Sequence, residues 1–146
     1  MNGEVSQEQA EKIIAMLTEG GAIENVNAPL ALRLIPLAEE LDNLELVERL
    51  LEHANSSAAD ELESGWVKFE KLRYNNSSID NFVELAAIAE KITNGSPLAA
   101  AVLHHVGLLY LGAEQYDDCQ VFITRSMRIR EKIDDQAGLV YSLAVL

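Results

Sequence analysis

The chain of 146 residues is sparing with several residue types, and each scarcity excludes something. A single cysteine, Cys119, leaves no internal disulfide and no cysteine-built metal site. Three prolines and eight glycines punctuate the chain only sparsely, which leaves long stretches free to form helix. Basic residues are outnumbered, 11 Lys and Arg against 24 Asp and Glu. The net charge of -13 speaks against a protein that neutralises nucleic-acid phosphates. No apolar run reaches the roughly 18–20 residues that span a bilayer. The longest, from Pro97 to Tyr110, is interrupted by His104 and His105. The opening Met-Asn-Gly-Glu-Val-Ser-Gln-Glu lacks the basic start and apolar stretch of a secretion signal, so a cytoplasmic chain is expected.

Alanine, leucine and glutamate dominate instead, and these residues lose little side-chain freedom on a helical backbone. With 49% hydrophobic residues the chain has material for a core, and the class expected is all-α. The acidity is concentrated in front. Residues 1–65 carry fourteen acidic and three basic side chains, whereas residues 66–146 carry ten and eight.

Polar breaks recur along the chain, at Gly20-Gly21, Asp42-Asn43, Asn55-Ser56-Ser57, Asn75–Ser78, Thr93–Pro97, Gly112-Ala113-Glu114 and Asp134-Asp135. Between them apolar residues fall at helical spacing, as in Leu44, Val47, Leu50, Leu51 and Ala54. Eight helices are predicted, over 6–18, 28–41, 44–54, 58–74, 79–93, 97–111, 115–133 and 136–146. From the second helix onward they are joined by two to four residues and are expected to pack as antiparallel hairpins. Ser6 with Gln9 has the spacing of a capping box. Asn27 and Ser78 are further cap candidates, Ser96 places a hydroxyl before a helix-opening proline, and Gly20 and Gly95 suit left-handed helix ends.

Hairpins at this spacing raise the question of a repeat. Its clearest copy reads Leu103-x-x-Val106-Gly107-x-x-Tyr110, then Cys119-x-x-x-Ile123-x-x-Ser126. This resembles the tetratricopeptide signature, with leucine in the place of its tryptophan. The following Ile129–Ile133 segment and the acidic Asp134-Asp135 loop are similar to the lengthened repeats of kinesin light chains. Earlier copies are looser. Ala31, Leu34 and Ala38 with Val47, Leu51 and Ala54 fit, but Ile35 fills the glycine slot. In the middle copy, Trp66 and Phe69 with Phe82, Ala86 and Ala89, Glu70 falls on that slot, and a register shifted by three also fits.

The resemblance implies an α-solenoid, a right-handed superhelix of antiparallel hairpins. Residues 1–26 would form a capping helix, and 27–146 the repeats (about 28–57, 58–96, 97–135 and an incomplete 136–146). It also implies a non-enzymatic scaffold or adaptor that takes a peptide or helix of another protein in a concave groove. The alternative is a regulatory or sensor domain within a larger protein. The expected groove residues are Lys71, Tyr74, His104, Leu108 and Leu111. The Lys and Asn that clamp chaperone tails in some family members are absent, Leu32, Pro36, His104 and Leu108 standing there. Val140, Leu143, Ala144 and Leu146 form an apolar face expected to stack on a further repeat or to self-associate.

Other candidates for chemistry read as structure. His104 and His105 are adjacent on a helix and point about 100° apart, which does not suit one metal ion. Both are expected on a surface or in the groove. Cys119 fills a small, buried slot. Glu39-Glu40, Asp117-Asp118 and Asp134-Asp135 lie at helix ends and read as caps and turns. Arg125, Arg128 and Lys132, with Arg130 beside them, read as cations favoured by a helix C-terminus. No cofactor, metal, nucleic-acid or membrane partner is expected.

Overall fold

A computed structural model describes residues 5–146, and eight α-helices make up the regular structure of these residues. They are α1 (Gln7–Thr18), α2 (Ala28–Glu40), α3 (Leu44–Ser57), α4 (Glu61–Tyr74), α5 (Ile79–Glu90), α6 (Ser96–Gly112), α7 (Tyr116–Lys132) and α8 (Gln136–Leu143). They match the eight predicted segments, with shifts at the ends that have local causes. Helix α3 runs on to Ser57, and in its last turn Ser56 bonds back to the Glu52 carbonyl and the Ser57 hydroxyl meets His53. Helix α4 starts at Glu61 because Asp60 caps it, its carboxylate accepting the Glu63 N–H at 2.8 Å.

Helix starts follow the sequence unevenly. Ser6 and Gln9 form the expected capping box, each side chain accepting the other's backbone N–H. Asn27 caps α2 through Leu30 N–H at 2.9 Å. Ser78 precedes α5 but makes no capping hydrogen bond with its side chain. Ser96 is not a cap: α6 begins on Ser96 itself, behind Gly95.

Most helix ends share one feature. A residue in the left-handed region follows the helix at Asp42, Asn76, Glu114 and Asp134, and Asn94 takes it four residues after α5, with φ between 50° and 60°, whereas α3 ends at Ala58 with φ -59°. Gly20 takes this conformation as expected, whereas Gly95 does not and leaves it to Asn94. Gly95 is needed for closeness instead, since a Cβ there would lie 2.0 Å from the Ala89 carbonyl oxygen. After Asp42, Glu114 and Asp134 the next residue, Asn43, Gln115 or Asp135, opens the following helix with near-equal backbone angles. Each of the three also bonds back five residues, to Ala38, Tyr110 and Arg130, closing the outgoing helix. The α2–α3, α6–α7 and α7–α8 connections are therefore one turn used three times.

Two compact units divide the chain, Met1–Lys71 and Leu72–Leu146. In the first, α1 packs on α2 and α2 on α3. Its core holds Ile14, Leu17, Leu34, Ile35, Leu46, Val47 and Leu50. The repeat positions Ala31, Leu34, Ala38, Val47, Leu51 and Ala54 are all buried. In the second, α5 packs on α6, α6 on α7 and α7 on α8, around Phe82, Leu85, Leu98, Leu103, Val106 and Ile123.

Candidate functional site

The sequence concentrates its repeat signal on the α6–α7 hairpin, and the packing follows it. Leu103, Val106, Gly107, Cys119, Ile123 and Ser126 are buried, and Tyr110 is half-buried and stacks on Phe122 at 5.5 Å. A Cβ on Gly107 would stand 2.5 Å from Ile123 Cδ1, so the glycine brings the two helices together. Ser126 donates to the Ala100 carbonyl at 2.7 Å, satisfying a hydroxyl in the seam. Cys119 is enclosed, and burial pushes its thiol pKa up, away from the reactive thiolate.

One turn further along the same stripe comes Arg130, four residues after Ser126. It is 8% exposed and not a solvated cation at a helix end. Its Nη1 group donates to the Gly138 carbonyl at 3.0 Å, to Ser142 Oγ, and to His104 Nδ1 at 3.3 Å. Its Nε lies 3.8 Å from Asp135 Oδ2, while the other carboxylate oxygen of Asp135 caps α8 through Gly138 N–H. Gly138 has no room for a side chain, because a Cβ would lie 2.2 Å from Asp135 Oδ2.

His104 is buried too, at 3% exposed, and so offers no groove surface in this structure. Its ring stacks on Tyr141 of α8 at 4.3 Å, and its Nδ1 lies 3.2 Å from Ser142 Oγ. Because Nδ1 accepts from Arg130, the ring proton sits on Nε2, which is buried without a hydrogen-bond partner. Burial foremost, then the Arg130 guanidinium and His105, push the His104 pKa down to about 4. His105 is half-buried against Phe82 at 4.8 Å, its pKa lowered by burial and then by Arg73. His104 is therefore not the surface or groove residue expected from the sequence, whereas His105 keeps part of its surface open.

The cluster of His104, Arg130, Asp135 and Ser142 fastens α8 to the hairpin by polar contacts. Ser142 is the one buried residue of that helix. Apart from Ser142, the end of α8 and the residues after it are apolar and open: Val140 is 69% exposed and Leu143 56%, and beyond the helix Ala144 is exposed and Leu146 is 58% exposed. Nothing between Gln136 and Leu146 is charged. Of the expected groove residues, Lys71 falls in the first unit. Tyr74 and Leu108 are half-buried in the second, where Leu111 is exposed. A second surface feature lies on the outward face of α7, an open depression of about 500 Å³ lined by Asp117, Gln120, Val121, Thr124, Arg125 and Arg128. Arg125 there lies over the Phe122 ring at 5.2 Å.

Among the described residues, no three His, Cys, Asp or Glu side chains are placed to hold a metal ion. Among the same residues, no helix is long and apolar enough to cross a membrane. Comparison with family models, with curated proteins and with solved structures gives no match.

Proposed function

We propose that the chain is a protein–protein interaction module of the tetratricopeptide kind, which binds a helical or extended segment of another protein. The observation that carries this reading is the open, uncharged apolar face of α8, mounted on a tightly packed hairpin. The sealed glycine contact between α6 and α7 and the thrice-used turn support the repeat reading. In that reading Leu108 and Leu111 contribute a second accessible surface on α6.

The test is site-specific photo-crosslinking in cells, with a photoreactive residue at Leu108, Leu111 or Val140 and a control at exposed Glu8 of α1. The expected result is capture of a defined protein at one or more of the three positions and not at Glu8. Equal background at all four positions would overturn the reading.

A further inference from the structure

The turn between α2 and α3 holds two leucines in the open, Leu41 at 65% and Leu44 at 53% exposed. Glu39, Glu40, Asp42, Glu45 and Glu48 flank them and are exposed too. Glu39 and Glu40 are unfavourably placed, at the negative end of the α2 dipole, in a last turn without a basic residue. Among the described residues none of the five carboxylates makes an ion pair. The three cations of residues 1–65 are committed elsewhere. Lys12 pairs with Glu8 at 3.4 Å, Arg33 donates to the Val5 carbonyl at 2.8 Å, and Arg49 donates to the Leu17 carbonyl at 3.3 Å. The outward face of α7 is the counterpart of this tip. Val121, Arg125, Arg128 and Lys132 follow one another at i, i+4, i+7 and i+11, on the side away from the buried Cys119, Ile123, Ser126 and Arg130. All four are exposed, Val121 at 54%, and the three cations make no ion pair among the described residues.

From this complementarity we infer that the α2–α3 turn of one copy docks on the outward face of α7 in a second copy. Its leucines meet Val121, and its carboxylates meet Arg125, Arg128 and Lys132. A second copy is the occupant because the chain carries both halves of the match, each left unpaired by the residues around it. The charge is divided in the same way, a net -11 over residues 1–65 and a net -2 over residues 66–146. Head-to-tail contact therefore sets the acidic half of one copy on the nearly balanced half of the next. Repulsion between exposed charges more than about 8 Å apart is screened at physiological ionic strength, which leaves the local pairing to decide. The inference does not rest on the interaction-module reading and uses neither α8 nor the open surface of α6.

The test is the solution mass of the intact chain by light scattering over a concentration series, with two charge-reversed variants. One carries Arg125→Glu with Arg128→Glu, the other Glu40→Lys with Glu45→Lys. The intact chain is expected to rise above the monomer mass with concentration, and each variant alone should associate at least tenfold more weakly. Mixed in equal amounts, the two variants should associate again, since each supplies the face that the other has lost. That rescue also shows that both variants are folded. Leu41→Ser with Leu44→Ser should weaken association as well, while Leu143→Glu on α8 should leave it unchanged. A chain that stays monomeric up to millimolar concentration would overturn the inference. So would association indifferent to both charge reversals, a mixture that stays monomeric, or association abolished by Leu143→Glu. Crosslinked capture of another protein at Leu108, Leu111 or Val140 by a monomeric chain would overturn this inference alone and leave the module standing.

Discussion

Arg130 Nη1 lies 3.3 Å from His104 Nδ1 inside the second unit, so a buried guanidinium donates to a neutral imidazole. This arrangement makes stability sensitive to mild acid. The groups around the ring are Arg130 of α7, His105 of α6, and Tyr141 and Ser142 of α8. The folded pKa of His104 is about 4, below the ordinary 6.5, so the unfolded chain binds a proton more readily. The stabilisation is complete above about pH 6.5 and is lost as pH falls towards 4, up to about 3 kcal/mol in all. Urea denaturation between pH 7 and 4 should show this slope in the wild-type chain. His104→Gln, which keeps an acceptor for Arg130 but does not titrate, should flatten it; an unchanged slope would count against the burial of a neutral ring.

Removing the guanidinium should loosen α8 before it unfolds the hairpin. Arg130→Ala removes the donor to the Gly138 carbonyl and to Ser142 Oγ, and leaves His104 Nδ1 only the Ser142 hydroxyl at 3.2 Å. Besides that donor, α8 is held by the buried Ser142, the Tyr141 ring stacked on His104 and the Asp135 cap. Hydrogen exchange of amides 139–143 should accelerate at least tenfold, a loss of about 1.4 kcal/mol or more in local opening. Amides 99–107 of α6 should keep most of their protection. Equal loss in both segments would mean that the cluster holds the whole unit together.

Much of this was legible from sequence, for physical reasons that differ by region. The helices were readable because polar breaks coincide with left-handed helix ends, at Asp42, Asn76, Asn94, Glu114 and Asp134. The α6–α7 seam was readable because Gly107, Cys119, Ile123 and Ser126 are small or aliphatic in a fixed order. Arg130 was misread because its charge suggests solvent and the helix dipole offers a ready explanation. Its spacing was the better guide, since positions 119, 123, 126 and 130 continue one buried stripe. His104 was misplaced for a related reason: periodicity puts it on the inner side of α6 but does not say that α8 comes down over it. Ser142 gave no signal, because a serine in an apolar helix is unremarkable until its partner is known.

The glycine contact at α6–α7 can be tested by crowding it. In Gly107→Ala the new methyl meets Ile123 Cδ1 and Cγ1 at 2.5 and 2.6 Å, and Ile123 is fully buried with nowhere to retreat. Overpacking of this kind costs about 1–3 kcal/mol, against about 1 kcal/mol gained in helix propensity. A net loss of about 1 kcal/mol is expected in denaturant midpoint experiments. Ile123→Val removes the closest methyl, so the double variant should lose less than the two single variants added together. Additive losses would show that the two side chains do not compete for the same space.

Glu114 is the place where the chain has room to gain stability. It ends α6 at φ 60°, a conformation that costs a side chain bearing Cβ about 1–2 kcal/mol. Asp42, Asn76, Asn94 and Asp134 do the same job with short side chains that tolerate it better. Glutamate has no such excuse, and Glu114 is exposed. Glu114→Gly removes the clash but also loosens the unfolded chain, which returns about half the benefit. A net gain of about 0.5–1 kcal/mol should appear as a higher urea midpoint with an unchanged slope. The same substitution at Glu131, inside α7, should instead lower the midpoint by about 1 kcal/mol, since there glycine only weakens a helix. Opposite signs from two exposed Glu→Gly changes would tie the first effect to the left-handed turn, and matching signs would refute that assignment.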